Sequence, residues 1–228
     1  MKGNLFKMNN LINYFLGLPK SIYFCFKYLP IKIAVKIPIF LSKNVYLSSV
    51  KGDIDIETDK IKTGMIKIGF GGVGIFDKKY SRTIWQNNGG KVVFRGITNI
   101  GHGSRISVNQ NATLIFGKNF CITAESQVIC SKKISFGNDV LISWQCLFMD
   151  TDFHKIYKNN MIKNENKAIE IGNHVWIGCR NTILKGVNIA DNCVIAANSN
   201  VVKSIEQKNS IIAGNPAKMI ENNIQWKQ

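Results

Sequence analysis

The chain has 228 residues, of which 45% are hydrophobic, and it carries 30 Lys and Arg against 14 Asp and Glu, a formal charge of +16. This size allows one domain with a sizeable core, and the interrupted apolar stretches near the N-terminus predict neither a signal peptide nor a membrane span. The six cysteines form no CxxC pair and the scattered lysines accompany no nucleic-acid-binding motif, so we expect a cytoplasmic protein with reduced thiols, no metal and no nucleic-acid partner.

Residues 1–60 differ in composition from the rest of the chain, and we expect them to form a capping segment. A helix-like, aromatic and lysine-flanked stretch covers residues 11–24, and the alternating residues 30–37 resemble a strand. Repeat folds need a cap over an open end, which is one interpretation of this segment. The other is a basic aromatic surface that makes peripheral contact with the inner membrane surface. The two interpretations are compatible, and both stay open.

From about residue 66 onward an apolar residue returns at six-residue spacing, with a loop at residues 76–90. The spacing is regular in four runs: Phe94, Ile100 and Ile106; Phe116, Ile122 and Val128; Phe136, Ile142 and Phe148; and Ile171, Ile177, Ile183, Ile189, Ile195 and Val201. Helices repeat about every 3.6 residues and strands about every two, so this period predicts instead an all-β fold, a parallel β-helix. We expect residues 61–228 to form this domain, with small residues such as Cys146 and Cys193 pointing inward.

The repeat is interrupted once, by a polar loop near residues 149–168 that leaves the coil. A long loop in a regular solenoid is typically functional, and this one carries His154 in the sequence DTDFH. After the last repeat, a Gly/Pro turn at residues 214–216 leads into what we expect to be a short C-terminal helical segment over the final coil.

Three C-terminal stretches resemble the closing repeats of the hexapeptide-repeat acyltransferases: residues 173–178 (NHVWIG), 194–199 (VIAANS) and 213–218 (AGNPAK). Within that family the resemblance is closest to the maltose/galactoside O-acetyltransferases and to the sugar acetyltransferases of capsule and O-antigen. It implies a left-handed β-helix, a homotrimer with active sites between neighbouring subunits, and acetyl-CoA as donor. It also implies an O-acetyltransferase that modifies a sugar hydroxyl of a surface polysaccharide, or of its precursor, by direct transfer.

His154 stands where this family has its catalytic histidine, at the loop that leaves the coil before the repeat ending in VWIG. A sugar hydroxyl is a weak nucleophile, and a neutral imidazole, with an ordinary pKa of about 6.5, can remove its proton near neutral pH. Asp150 or Asp152 could accept a hydrogen bond from the other ring nitrogen, and the sequence leaves open which of them does.

Six residues match positions that hold the donor in this family: Trp176, Gly178, Cys179, Ala197, Lys203 and Lys218. The resemblance implies that the indole lies along the pantetheine arm, that the small residues offer backbone groups to its amides, and that the two lysines contact the CoA phosphates. Two positions depart from the family: Val202 stands where threonine is common, and Lys218 where arginine is frequent. These departures predict one hydrogen bond fewer at the nucleotide end and no bidentate phosphate contact.

Five other residues have weaker arguments. His102, in a corner flanked by glycines, could line the acceptor cleft, whereas His174 occupies a variable corner and is expected to be structural. Tyr80, Arg82 and Trp85 lie in a loop rich in aromatic and charged residues, where they could contact the acceptor or simply anchor the loop.

The same fold and histidine also suit an N-acetyltransferase on a nucleotide amino sugar or a small-molecule (xenobiotic) acetyltransferase, and the sequence barely separates these from sugar O-acetylation. A metal-dependent hydratase would need three histidines brought together across a subunit interface. The chain has three histidines, but no pair of them has the short spacing of ligands at one corner. The sequence therefore favours acetyl transfer.

Overall fold

The computed structural model describes residues 2–227, with side chains described for residues 13–227. Two helices come first, α1 (Lys2–Tyr28) and α2 (Ile31–Ala34). The strands of the first half are β1 (Ile39–Leu41), β2 (Val45–Val50), β3 (Asp53–Ile56), β4 (Ile66–Phe70), β5 (Thr83–Asn87), β6 (Lys91–Phe94), β7 (Thr98–Gly101), β8 (Arg105–Val108), β9 (Thr113–Phe116), β10 (Phe120–Ile122) and β11 (Gln127–Cys130). Those of the second half are β12 (Lys133–Phe136), β13 (Leu141–Ile142), β14 (Leu147–Met149), β15 (Tyr157–Lys158), β16 (Met161–Ile162), β17 (Ile169–Ile171), β18 (Trp176–Ile177), β19 (Thr182–Leu184), β20 (Asn188–Ile189), β21 (Val194–Ile195), β22 (Asn200–Val201), β23 (Ile211–Gly214) and β24 (Ala217–Glu221).

Apart from two hairpins, each strand pairs in parallel with the strand one coil further along, which gives the coil three faces. The first face is β1-β4-β7-β10-β13-β18-β21-β23-β24, the second is β2-β5-β8-β11-β14-β19-β22, and the third is β3-β6-β9-β12-β17-β20. The first corner, from first to second face, contains residues 102–104, 123–126, 143–146, 178–181 and 196–199. The second corner, from second to third face, contains residues 109–112, 131–132, 150–168 and 185–187. The third corner, from third to first face, contains residues 117–119, 137–140, 172–175 and 190–193.

The six-residue period of the sequence is the spacing of the buried positions, and pairing between coils stacks these positions into ladders. Two such ladders are Ile122–Ile142–Ile177–Ile195–Ile212 in the first face and Phe94–Phe116–Phe136 in the third. The phenylalanine rings are stacked at centroid separations of 5.3 and 5.8 Å, and all members of both ladders are buried. Because the predicted apolar positions fill the core, the predicted parallel β-helix is confirmed.

The third corner shows why Gly and Asn recur in the turns of this sequence. A Cβ on Gly117 would lie 2.1 Å from the carbonyl oxygen of Gly137 in the next coil, so the coils stack too closely there for a larger residue. In each coil the third residue of this corner has a positive backbone φ, between 52° and 60°. These residues are Asn119, Asp139, His174 and Asn192. Asn and Asp adopt this left-handed conformation more readily than other side chains, which is why they dominate these turns.

Helix α1 covers the N-terminal end of the β-helix. Its Phe24 ring is fully buried and meets Trp85 edge-on, with centroids 5.4 Å apart, and Ser21 Oγ accepts the N–H of Leu41 at 2.8 Å. Strands β1, β2 and β3 pair with β4, β5 and β6, so the first coil already begins inside the residues 1–60 expected to form the cap. No helix in the part of the chain that the structure describes is long and apolar enough to cross a membrane.

The strand expected over residues 30–37 is wrong, because Ile31–Ala34 form α2. The N–H groups of Ile33 and Ala34 both donate to the Pro30 carbonyl, at 2.8 and 2.9 Å. Ala34 is buried in this turn whereas Ile31 and Val35 are exposed, so the alternation of apolar residues here does not reflect burial on one side of a strand.

The short helical segment expected at the C-terminus is also wrong, because β23 and β24 form an antiparallel hairpin. Ala213 pairs with Lys218 and Gly214 with Ala217. Strand β23 is the last parallel strand of the first face, and its outer edge presents backbone groups that need partners. A returning strand satisfies these groups, which a helix could not.

Candidate active site

A loop, residues 150–168, leaves the second corner between β14 and β17 and is fixed where it begins. The side chain of Asp150 is fully buried, and its carboxylate accepts three backbone N–H groups. The donors are Ser131 at 2.6 Å and Lys132 and Lys133, each at 2.8 Å. Hydrogen bonds to a charged acceptor are stronger than neutral ones, so this carboxylate holds the loop exit against the preceding coil.

The far part of the loop is held by a second set of contacts. Strands β15 and β16 form an antiparallel hairpin, and Asp152 accepts hydrogen bonds from Lys185 Nζ at 2.5 Å and Asn164 Nδ2 at 2.9 Å. These two hydrogen bonds, the one from Lys185 first, lower the pKa of the Asp152 carboxyl below its usual value. Lys185 Nζ also donates to the Asn164 carbonyl at 2.8 Å. Because Lys185 belongs to the next coil, the loop is tied to the coils on both sides of its exit.

His154 lies between these two sets of contacts with its side chain exposed. Its N–H donates to the Asp152 carbonyl at 2.6 Å, and its own carbonyl accepts Asn164 Nδ2 at 2.7 Å. Within the described residues no side chain hydrogen bonds to the imidazole, and both aspartates bind other groups. The expectation that Asp150 or Asp152 orients the ring is therefore wrong for a single chain. The loop fixes the backbone of His154 and leaves its ring accessible.

Gly178, Cys179 and Ala197 lie together at the first corner in successive coils. A Cβ on Gly178 would be 2.9 Å from the Ala197 nitrogen, so only glycine allows the two coils to stack at this distance. The Gly178 N–H donates to the Ile195 carbonyl at 2.8 Å, and the Gly178 carbonyl accepts Asn181 Nδ2 at 2.8 Å. Both backbone groups of Gly178 are thus already hydrogen bonded, the N–H to the next coil and the carbonyl within its own corner. Gly178 therefore allows the two coils to stack closely at this surface, and neither of its backbone groups is left vacant for a ligand.

Trp176 projects from β18 on the first face, beside this corner, and 39% of its surface is exposed. Its indole N–H donates to Ser143 Oγ at 3.4 Å, and the Trp226 ring centroid lies 6.0 Å away. A tryptophan on the outside of a coil, held at its nitrogen edge, offers an apolar ring face to a ligand. Its contact with a donor stays a prediction.

The structure places the predicted site residues at two different corners. One group surrounds the first face and first corner of the last coils: Trp176, Gly178, Cys179, Ala197 and Lys218. The other group, His154 and Lys203, lies at the second corner, where Lys203 follows β22. Both lysines are exposed. Because the second face lies between the two corners, the fold of one chain separates the predicted catalytic histidine from most of the predicted donor residues.

His102 is buried at the first corner and belongs to a polar cluster with Ser81 and Glu125. The Ser81 hydroxyl donates to Glu125 Oε1 at 2.7 Å, and His102 Nδ1 lies 2.8 Å from the same hydroxyl oxygen. Because the only hydroxyl hydrogen goes to the carboxylate, the histidine donates from Nδ1, and its Nε2 accepts the N–H of Val73 at 3.4 Å. Both ring nitrogens are used in holding the neighbouring loop, so the expectation that His102 lines an acceptor cleft is wrong.

The state of His102 leads to a prediction about pH and stability. Burial lowers the pKa of His102 below its ordinary value, and the positive charge of Lys78 lowers it further against the opposing effect of Glu125. In the unfolded chain His102 has its ordinary pKa of about 6.5, so below this pH it binds a proton that the folded chain does not bind. The free energy of unfolding therefore decreases as the pH falls. We expect urea denaturation to show a smaller loss of stability on acidification in His102→Gln than in the wild type. Equal losses in the two proteins would contradict this assignment.

The loop residues Tyr80, Arg82 and Trp85 have different environments. Trp85 belongs to β5 and is fully buried in the core, so its expected contact with an acceptor is wrong. The Arg82 guanidinium lies 4.3 Å from the centroid of the Tyr46 ring, which is an anchoring contact. Tyr80 is 77% exposed. Anchoring of the chain is thus the observed role of two of the three residues.

One aromatic residue near Trp176 is not among the residues expected from the sequence. Trp226 follows β24, and its ring stacks on His174 with centroids 4.2 Å apart and planes 8° apart. Its Nε1–H donates to the His174 carbonyl at 3.0 Å. Trp226 lies beyond the last repeat, where the six-residue period gives no information about position. His174, in turn, serves as a structural corner residue and as a platform for this ring.

Comparisons with known proteins agree with this architecture. The family described as bacterial transferase hexapeptide (six repeats) matches residues 168–203. A probable macrolide acetyltransferase of Lysinibacillus sphaericus is 61% identical over 51 residues, which cover 22% of this chain and 28% of the relative. A polysialic acid O-acetyltransferase of Neisseria meningitidis is 43% identical over 96 residues, covering 41% of this chain and 45% of the relative. The chain thus spans less than half the length of each of these two relatives.

Among solved structures, the polySia-specific acetyltransferase NeuO superposes with a TM-score of 0.57 at 23% identity, covering 84% of this chain and 79% of that one. A likeness at this identity concerns the fold. The predicted all-β class, a left-handed parallel β-helix, is confirmed.

Proposed function

The chain belongs to the hexapeptide-repeat transferase family, and we propose that it is an acetyl-CoA-dependent O-acetyltransferase. Its acceptor is a sugar hydroxyl of a surface polysaccharide, such as capsule or O-antigen, or of the precursor of that polysaccharide. The observation that carries the proposal is the doubly tied loop at residues 150–168, which leaves the coil directly before the matched repeats and holds His154 exposed on a fixed backbone. The activity in the name of the Neisseria relative supports a polysaccharide acceptor.

In the proposed reaction the imidazole of His154 acts as general base. It removes the proton from the sugar hydroxyl while the oxygen attacks the carbonyl carbon of the acetyl thioester. The tetrahedral intermediate then collapses, the carbon–sulfur bond breaks, and the imidazolium returns its proton to the CoA sulfur. The acetyl group passes directly to the sugar, so no Ser or Cys nucleophile takes part.

The separation of the two groups of residues supports a site shared between subunits of a homotrimer. His154 and Lys203 project from the second corner, whereas Trp176 and Lys218 belong to the first face. When three coils pack side by side, the second corner of one chain can face the first corner of its neighbour. Such packing would place the histidine of one subunit beside the donor residues of the next. Mixed trimers of His154→Ala and Trp176→Ala chains test this arrangement at low acetyl-CoA, because some of their sites would combine two intact groups and recover the wild-type KM that Trp176→Ala alone lacks.

Truncation of the exposed indole leads to a prediction about donor binding. We expect Trp176→Ala to raise the KM for acetyl-CoA about tenfold with a smaller effect on kcat, because the ring supplies apolar contact to the donor in ground and transition state alike. Trp176→Phe keeps a flat apolar ring at this position and should restore most of the affinity. Steady-state kinetics with varied acetyl-CoA measure both parameters. An unchanged KM in Trp176→Ala would place the donor elsewhere.

The acceptor class can be tested by following CoA release from acetyl-CoA in the presence of different acceptors. The proposal predicts turnover with capsular or O-antigen glycans, or with their lipid-linked precursors. The name of the Lysinibacillus relative points to a small-molecule acceptor, and a nucleotide amino sugar is the other alternative. Turnover with macrolides or amino sugars, combined with failure on every glycan, would replace the polysaccharide proposal by one of these alternatives.

A further inference from the structure

Over residues 15–26 the outer face of α1 is apolar, where a solvent-facing helix is normally polar. Five large side chains on this face are between 38% and 76% exposed: Phe15, Leu16, Ile22, Tyr23 and Phe26. Their spacing of three, four and seven residues places them on one side of the helix, opposite the buried Ser21, Phe24 and Cys25. The cap interpretation thus accounts for the inner face of α1 and leaves this outer face without a partner among the residues that the structure describes.

The apolar surface continues on α2 and the residue that follows it. Ile31 is 72% exposed and Val35 is 59% exposed, and each is followed by an exposed lysine, Lys32 and Lys36. Alternation of exposed apolar and lysine side chains is typical of segments that lie at a membrane interface, because the apolar groups enter the lipid while the ammonium groups meet the headgroups.

The charged residues at the start of the sequence are all basic. Residues 1–52 contain eight lysines and no Asp or Glu, so this stretch supplies half of the formal charge of +16. A strongly apolar docking face for a second protein would not need such a charge, whereas an anionic bilayer attracts each lysine near its surface.

A basic pocket borders the apolar face. The cavity, of about 260 Å³, is lined by Lys20, Lys43, Asn44, Val45, Lys79 and Arg82. None of these described lining residues is acidic. Lys20 Nζ donates to the Lys43 carbonyl at 3.0 Å, and the pKa of Lys20 is lowered by burial and then by the charge of Arg82. Cations that repel one another around a cavity are suited to receive an anion such as a phosphate.

Lys20 connects the two features along the helix. It lies four residues after Leu16 and three before Tyr23, and residues at this spacing are neighbours on a helix surface. The basic pocket therefore opens beside the apolar face. A lipid is a ligand that offers an anionic phosphate next to apolar chains.

We propose that the N-terminal docking surface, formed by the outer faces of α1 and α2 and the basic pocket, rests on an anionic phospholipid bilayer with a lipid phosphate in the pocket. Two signals, apolar insertion and charge, are combined, as stable peripheral binding requires. This surface is separate from the loop at residues 150–168 and from Trp176, so the inference does not depend on the proposed acetyl transfer and can fail independently of it.

The test is flotation of the full chain with vesicles of phosphatidylcholine alone and of phosphatidylcholine mixed with phosphatidylglycerol. We expect binding to the anionic vesicles, weakened by added salt, and little binding to the neutral ones. Lys43→Glu combined with Lys79→Glu should weaken binding by about tenfold or more. The matched control reverses two exposed lysines on middle coils, Lys118→Glu with Lys132→Glu, and should weaken it much less.

A second variant, Phe15→Gln with Phe26→Gln, tests the apolar contribution and is expected to reduce binding to anionic vesicles at least as strongly. Should this variant fail to fold, as judged by circular dichroism, the lysine variants decide, because their side chains are exposed. Absence of binding to anionic vesicles at low salt, or equal weakening by the two lysine pairs, would overturn the proposal. A changed oligomeric mass of the phenylalanine variant with unchanged vesicle binding would instead show that a second copy of the chain covers this face.

Discussion

We expect His154→Ala to lower kcat for acetyl transfer by about 10²–10⁴-fold while leaving the KM for acetyl-CoA little changed. The variant removes the group proposed to accept the hydroxyl proton. Because this proton is transferred in the transition state, the loss lowers kcat and leaves the binding of acetyl-CoA little changed. The side chain is exposed and its ring has no hydrogen bond to another side chain among the described residues, so the substitution should leave the fold intact. Release of CoA thiol in the presence of acceptor measures the rate.

His174→Asn is a matched control for the loss of a histidine. His174 lies at a corner with φ of 52°, a conformation that Asn takes at equivalent corners, so the exchange preserves the turn. We expect this variant to keep nearly the full rate. If His154→Ala kept wild-type activity, a different group would have to act as base, and the proposed mechanism would be wrong.

Asp150→Ala is expected to destabilise the protein by about 3 kcal/mol. Its carboxylate is buried and serves three backbone N–H groups at 2.6–2.8 Å, which would lose their common acceptor. The exit of the loop would also be released, so we expect activity to fall together with stability. Urea denaturation at a fixed protein concentration measures the change in the free energy of unfolding.

Asp152→Ala removes a carboxylate from the same loop and is the control for this prediction. Its ion pair with Lys185 is 40% exposed on the aspartate side, and exposed pairs contribute only about 0–1 kcal/mol. Asp150→Asn should fall between the two, because a single amide oxygen cannot serve all three donors. A denaturation midpoint for Asp150→Ala equal to that of wild type would mean that water replaces the carboxylate and that the loop does not depend on it.

The sequence predicts the coil well because the interior of a narrow β-helix allows few alternatives. Every sixth residue must point inward, and the residues found there, such as Phe116 and Ile177, are fully buried. The corners are equally restrictive, since Gly117 has no room for a Cβ and Asn119 takes a positive φ. Local chemistry and global fold agree at these positions, so the period alone is sufficient.

The predictions fail where the structure depends on contacts distant in sequence. Residues 217–221 form β24 because β23 has an edge to fill, which no local pattern reveals. Trp85 belongs to the core because α1 folds over the first coil and brings Phe24 against it. Residues 31–34 are helical although the apolar alternation resembles a strand.

The candidate site shows the same division. His154 can be found from sequence because the loop that carries it interrupts a regular repeat. The role of Asp150 cannot, because its partners are amides of the preceding coil, and the sequence presents Asp150 and Asp152 as equivalent. Trp226 carries no signal of its position beside His174, because it lies after the last repeat.

The most direct test of the proposed function is the chemical linkage of the product. The purified chain is incubated with isotopically labelled acetyl-CoA and a surface polysaccharide, and the modified glycan is analysed by mass spectrometry and NMR. We expect a labelled acetyl ester on a sugar hydroxyl that mild alkali removes, and its rate of formation should fall by about 10²-fold or more when His154→Ala replaces the wild type. A labelled amide stable to mild alkali, or equal ester formation by His154→Ala, would contradict the proposed function.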